Sequence, residues 1–404
     1  MTSTRNLAVE KMVVVEGCYA VAHAVKVCRP NVIAAYPITP QSHIVEVLSQ
    51  FMADGEIPNC EYIHVESEFA ALSALIGSSA VGARSYSATT SQGLELMHEV
   101  LFNVSGMRLP IVMTVTNRAV SAPINIWNDH QDSISQRDTG WIQLYAENVQ
   151  EAADMTAQLY RISEDKDIMM PSMACMDGFI LSHVYEPVVL LEQDITDEFL
   201  PPLRKECILN PKNPFTFGAF ADPHFYTEFR YLQEQAMQNA LQKIENVAKE
   251  FDYMYGRYFG GLIDKYQTED AEIIIMAMGS IIGTIKEVID HLRDKNVKVG
   301  LLKIRVFRPF PAEAIKSTIR DAKVVVVLDK NISLGMNAGA LFIETKSVLY
   351  NTDINVPVIG YMIGHGGRDI PMSSIEKIIE DAKEVMKTGI KIESQFWDLK
   401  EELI

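Results

Sequence analysis

The sequence predicts an α/β fold made of two successive units, each a parallel sheet flanked by helices. Three observations carry this. Short apolar runs alternate with helical patterns from residue 12 to 176, and again from 272 to 388. Two of those runs, PIVMTVT at 110–116 and KVVVVL at 323–328, are apolar and mostly β-branched, as in a central parallel strand covered on both faces. Hydroxyl, carboxylate and guanidinium groups follow the strands closely, and open α/β sheets bind ligands at that end.

A chain of 404 residues has room for two or three domains. The reading divides it into 1–190, a connecting extension at 191–265, and 266–404. The net charge of −17 argues against nucleic acid or an anionic membrane as partner, since both require clustered Lys and Arg. The run Met12–Val15 is too short for the apolar core of an export signal. The longest apolar run, Ile273–Ile282, is broken by Gly279 and Ser280 and is too short to span a membrane. Cys18, Cys28, Cys60, Cys175 and Cys207 are scattered without CxxC spacing, so neither an iron–sulfur motif nor a zinc knuckle is expected. These features together predict a cytoplasmic protein.

In order, a lead-in at 12–16 precedes a helix from Gly17. The strand Val32–Tyr36 stops at Pro37. The turn Pro37-Ile38-Thr39-Pro40-Gln41-Ser42 then has a proline on each side of Thr39, which stiffens it. It presents the Thr39 hydroxyl at a strand's carboxyl end, beside the helix that starts near Ser42. A rigid turn with no ligand would look the same.

The stretch 61–93, EYIHVESEFAALSALIGSSAVGARSYSATTSQG, organises the first unit. A strand at 62–65 leads to Glu66 and Glu68, with Ser67 between them as a helix N-cap. The helix that follows, to about Ala80, is apolar almost all round and is therefore expected to be buried. A carboxylate in a first turn complements the helix dipole. Shielded from water, it can also hold or share a proton. Position alone leaves both roles open for Glu68. A strand at 84–88 then runs into the turn Thr89–Gly93, and a further helix begins near Leu94.

The strand 110–116 delivers Asn117 and Arg118. A guanidinium there is suited to bidentate capture of a carboxylate, although an ion pair with a neighbouring acid is the plainer use. Residues 119–141 form a long polar and aromatic loop. Asp129, His130 and Asp132 within it superficially resemble metal ligands, but their spacing fits a hydrogen-bonded site loop better, and no metal set is expected. A helix at 149–162 and a strand at 168–176 complete the unit. The extension is broken by Pro201-Pro202, Pro211 and Pro214. A long helix over about 226–250 follows, with Tyr231, Met237, Leu241, Ile244 and Val247 at helical spacing, suited to wrapping another surface. The second unit runs from a strand at 273–277 to a helix ending near 388. Its glycines lack the arrangement of a dinucleotide site.

Several blocks together resemble the α subunit of multi-subunit pyruvate:ferredoxin oxidoreductases, within the 2-oxoacid:ferredoxin oxidoreductase family. They are AYPITPQS (35–42), HVESEFAA (64–71), TTSQG (89–93), TNRA (116–119), WNDHQDSISQRDTGW (127–141), GLLKIRVFRPFP (300–311) and GHGGRD (364–369). The resemblance implies a transketolase-like thiamine-diphosphate-binding fold: a pyrimidine-type domain, then a domain like the C-terminal part of transketolase. It implies anaerobic oxidative decarboxylation of pyruvate to acetyl-CoA and CO₂, with CoA as co-substrate and electrons passed to ferredoxin.

By motif position, Glu68 matches the glutamate that hydrogen-bonds the cofactor's aminopyrimidine. Arg118 matches the ligand of the substrate carboxylate, with Thr39 beside it. Ser91, Gln92 and Gly93 are expected to line the cofactor site. The Gly-Asp-Gly motif for Mg²⁺ and diphosphate is missing, since Asp54 follows Ala53 and Asp177 follows Met176. Those groups, and the 4Fe–4S clusters, are therefore expected on partner subunits: a thiamine-diphosphate- and cluster-binding β, a γ and a ferredoxin-like δ. Ferredoxins are usually acidic, so this acidic chain is expected to leave ferredoxin docking to a partner. Two alternatives stand beside this reading. One is the same chemistry on 2-oxobutyrate, 2-oxoglutarate or oxalate. The other is a non-catalytic organising subunit.

Overall fold

The structure, a computed structural model, describes residues 12–214, 216–389 and 393–404. Of the N-terminal stretch in which no export signal is expected, residues 1–11 lie outside the described residues.

Two large sheets carry the fold. The first has seven strands in the order Val306–Arg308, Ile142–Tyr145, Ser172–Asp177, Val112–Asn117, Ser85–Thr89, Val32–Ala34, Glu61–Ile63. All neighbours are parallel except the first pair. Val112–Asn117 is the central strand and is buried throughout, as its β-branched run predicts. The second sheet has six strands in the order Ser394–Phe396, Val358–Met362, Val324–Asp329, Ile273–Ala277, Val299–Ile304, Ile263–Tyr266, with only the last antiparallel to its neighbour. Met12–Glu16 pairs antiparallel with Tyr185–Val189 in a small ribbon.

The two units share a core. Leu72 and Leu75, Val100 and Leu101, and Met113 and Val115 from the first unit belong to one apolar cluster with Met276, Leu302, Val325 and Leu341 from the second. The strand Val306–Arg308, on the second unit's side of the chain, adds the edge of the first sheet. The helix Tyr226–Tyr255 buries Met237, Ala240, Ile244, Val247 and Phe251 against the first unit's own core. Tyr231, expected on that face, is exposed.

One expectation is corrected. The helix Glu68–Ala80 buries only one side, through Ala71, Leu72 and Leu75. Phe69 is 40% exposed, and Ser73 and Gly77 face outward. The helix lies over the strands Val32–Ala34 and Ser85–Thr89 near the sheet edge, where this chain covers one side of it.

Candidate active site

The carboxyl ends of four neighbouring parallel strands bring the expected residues together. Thr39 follows Val32–Ala34, Glu68 follows Glu61–Ile63, Ser91 to Gly93 follow Ser85–Thr89, and Arg118 follows Val112–Asn117.

Glu68 is the first residue of its helix. Ser67, in an extended conformation, caps the helix by accepting from the Ala70 N–H at 3.2 Å. That cap turns Glu68 inward. Its side chain is 7% exposed, yet it has no hydrogen bond or ion pair among the described residues. A buried carboxylate is normally paired, so one without a partner in its own chain calls for a ligand. Two further buried polar atoms nearby also lack partners, Thr89 Oγ1 and Gln92 Nε2. Gly93 completes this pocket wall by having no side chain: a β-carbon there would stand 2.5 Å from Glu68 Oε1 and 2.6 Å from Thr89 Oγ1.

Ser91 has φ +46°, a left-handed conformation that costs a residue with a side chain of order 1–3 kcal/mol. Two bonds hold it there. Its N–H donates to Asp132 Oδ2 at 2.9 Å, and its hydroxyl donates to the Ala119 carbonyl. Asp132 also accepts from the Arg118 N–H (3.0 Å) and from Asn117 Nδ2 (2.8 Å). One buried carboxylate therefore fixes the Ser91 turn relative to Arg118. Burial pushes the Asp132 carboxyl up to about 7, against the pull of these donors. Asp132 was legible only as a polar member of the 119–141 loop. Its role depends on contacts with residues 15 and 41 positions away.

The Arg118 guanidinium donates from Nη1 to the Thr39 carbonyl at 2.9 Å and from Nε to the Asn125 carbonyl at 3.1 Å. Burial pulls it below its ordinary value, and Asp132 opposes that pull. These bonds leave donors of the guanidinium fork available for a ligand. Thr39 is exposed, with a cis peptide to Pro40. Gly178 seats the turn, because a β-carbon on it would lie 2.6 Å from the Asn117 carbonyl and 2.7 Å from Pro40.

Asp129 and His130 point to separate partners. Asp129 accepts from the N–H groups of Gln131 (3.0 Å) and Gly366 (3.1 Å). His130 Nε2 lies 2.7 Å from Asp177 Oδ1. The second Asp177 oxygen receives Lys330 Nζ (2.8 Å) and the Ser280 N–H (3.0 Å). Both oxygens of Asp177 are thus engaged, and the second ties the first unit to the second. Asp54 is the exposed C-cap of its helix and accepts from Gln50 Nε2. The glycines of 364–367 back the loop from the second unit: Asn125 Nδ2 donates to the Gly366 carbonyl at 3.0 Å, and Gly367 leaves room for Trp127.

Residues 23–249 match the family model described as pyruvate flavodoxin/ferredoxin oxidoreductase, thiamine diP-bdg, and residues 271–375 match pyruvate:ferredoxin oxidoreductase core domain II. The chain is 72% identical over 395 residues to the pyruvate synthase subunit PorA of Methanosarcina barkeri, covering 98% of each. It is 46% identical to the ketoisovalerate oxidoreductase subunit VorA of Pyrococcus horikoshii, over 93% of this chain and 95% of that one. Among solved structures it resembles a 2-oxoglutarate:ferredoxin oxidoreductase from Magnetococcus marinus with TM-score 0.72 at 16% identity, covering 93% of this chain and 66% of that one. At that identity the likeness establishes the fold.

Proposed function

The chain belongs to the pyruvate:ferredoxin oxidoreductase family, and on that premise we propose that Glu68 and Arg118 are its contribution to a thiamine diphosphate site completed by a partner subunit. The family's reaction converts pyruvate and CoA to acetyl-CoA, CO₂ and a proton, and passes two electrons to ferredoxin. The observation that carries the assignment is the Glu68 carboxylate, on a residue only 7% exposed and without a hydrogen-bond or ion-pair partner among the described residues.

The residues present fit the aminopyrimidine end of the cofactor. Glu68 would hydrogen-bond the ring nitrogen and hold a proton on it. The unpartnered Thr89 Oγ1 and Gln92 Nε2 are available to the ring's other polar edges, and Gly93 admits the ring beside Glu68. Ser91 sets the geometry of this wall through Asp132. When bound, thiamine diphosphate supplies the nucleophilic carbon and the electron sink of the decarboxylation. Arg118 holds and orients the substrate carboxylate with its free donors until CO₂ departs, and Thr39 contacts the substrate through its hydroxyl.

We assign Mg²⁺, the diphosphate and the 4Fe–4S clusters to partner subunits of β, γ and δ type. The engaged state of Asp177 supports this, as does the scatter of the cysteines, four of them buried. CoA enters as co-substrate, and ferredoxin docks mainly on a partner. Among the described residues no helix is long and apolar enough to cross a membrane, and we place the complex in the cytoplasm.

Glu68→Gln tests the reading, because glutamine keeps the shape and loses the acid. The assembled complex should retain its iron and lose about 10²- to 10⁴-fold in pyruvate turnover. Turnover within a few-fold of wild type would make Glu68 structural and the chain an organising subunit. Substrate identity is tested separately by a turnover profile over pyruvate, 2-oxobutyrate, 2-oxoglutarate and oxalate, in which pyruvate should lead.

A further inference from the structure

Behind the turn that carries Thr39, three side chains of metal-binding type converge from distant parts of the sequence. One ligand atom each of Glu16, Cys18 and His183 lies within 4.8 Å of the others. Backbone packing assembles them. Gly17, between the first two, is pressed so closely on residue 181 that a β-carbon would stand 1.8 Å from the Leu181 carbonyl oxygen. The Gly17 N–H donates to the Val184 carbonyl (3.1 Å) and the Cys18 N–H to the Ser182 carbonyl (2.9 Å), and Glu16 pairs with Tyr185 in the ribbon. The segments bearing the three groups are therefore held in register without the side chains having to do it.

We propose that Glu16, Cys18 and His183 form a binding site for a divalent cation of the zinc class. Thiolate, imidazole and carboxylate are the donor types zinc takes, at bond lengths of about 2.0–2.3 Å, so small side-chain movements bring all three onto one ion. His43 starts the neighbouring helix. Its Nδ1 lies 2.7 Å from Glu16 Oε1, and its ring meets that of His183 at 4.6 Å with a 34° tilt. The Ser182 hydroxyl lies 2.7 Å from His183 Nδ1 and orients that ring, as groups behind metal-bound histidines commonly do. Cys18 Sγ also lies 3.8 Å from the Pro40 carbonyl, which places the site directly behind the substrate-facing turn. The site does not involve Glu68, Arg118 or any group assigned to the reaction.

The test is the zinc and iron content of the native complex after dialysis into metal-free buffer, for wild type, Cys18→Ser and His183→Gln. About one zinc per copy of this chain, lost in both variants with iron unchanged, supports the site. Wild type without zinc, or variants that keep it, overturns it. If a variant does not assemble, the isolated full-length chain is titrated with Co²⁺. A near-ultraviolet thiolate-to-cobalt band that Cys18→Ser abolishes supports the site, and a wild-type chain without the band overturns it. Glu68→Gln should keep its zinc, so the two proposals fail independently.

Discussion

Gly93 and Glu68 are packed so that any side chain at position 93 forces a neighbour to shift: a β-carbon would lie 2.5 Å from the carboxylate oxygen and 2.8 Å from Glu68 Cγ. In Gly93→Ala, either the carboxylate or the Thr89 end of the strand must move. Displacing a catalytic group by about 1 Å can cost roughly 10²-fold in rate, while overpacking of this size costs about 1–3 kcal/mol. The expected result is a folded, assembled enzyme with turnover reduced on the order of a hundredfold and a modestly lower Tm. Unchanged turnover would show that the position of Glu68 does not matter.

Arg118 makes a different prediction. Two of its nitrogens are already anchored, on the Thr39 and Asn125 carbonyls. A lysine at this position has one nitrogen and cannot keep both anchors while offering a fork to a carboxylate. Arg118→Lys should weaken apparent pyruvate affinity by about ten- to a hundredfold, or roughly 1.5–3 kcal/mol. kcat should fall less than kcat/KM, and thiamine diphosphate content should stay unchanged. Steady-state kinetics with cofactor quantitation reads this out, and a wild-type KM would remove Arg118 from the substrate site.

The strand-end positions of Thr39, Glu68, Gly93 and Arg118 were legible because local pattern locates strand ends, whereas the roles given to these residues came from the family resemblance. The Ser67 cap was legible for a similar reason, since its partner is three residues away. Contacts across the chain were not legible. Nothing near Asp132 indicates that it holds Ser91, and nothing near Val306 indicates that its strand leaves the second unit for the edge of the first sheet. The helix Glu68–Ala80 misled in the other direction. Its composition suggests burial all round, but composition does not reveal that this chain covers only one side. The Glu16, Cys18 and His183 group escaped a spacing argument because it is assembled across 167 positions by backbone pairing.

The block GLLKIRVFRPFP carries a structural role that its sequence does not display. Lys303 and Arg305 both reach across to Glu151, at 2.7 Å and 2.9 Å, with all three side chains almost completely buried. Arg305 is further held by Gln158 Oε1 (2.8 Å) and the Gly261 carbonyl (3.1 Å). Removing one partner of a buried ion network leaves uncompensated charge, which costs about 3–5 kcal/mol. Glu151→Ala should therefore lower the Tm of the chain sharply, and more than loss of the solvent-exposed Arg320–Asp353 pair. Equal shifts for the two would mean that the buried network is relaxed by water in solution.

Asp177 ties the first unit to the second and gives the junction a pH dependence. Burial alone would raise its carboxyl, but Lys330 and His130 hold it well below the usual range. An unfolded aspartate titrates near 3.9. Because the folded value is lower, the ionised group contributes stability in full above about pH 4 to 5, and that contribution is lost as pH falls through the folded value. Asp177→Asn should remove this acid-limb slope. It also leaves the Lys330 ammonium, 4% exposed, without its carboxylate, at a cost of about 3–5 kcal/mol near neutral pH. Denaturant unfolding of both proteins from pH 3 to 9 would separate these effects: a wild-type curve that falls on the acid side, against a variant that is flatter there and lower near neutral pH. Parallel curves would place the Lys330–Asp177 pair outside the energetics of the junction.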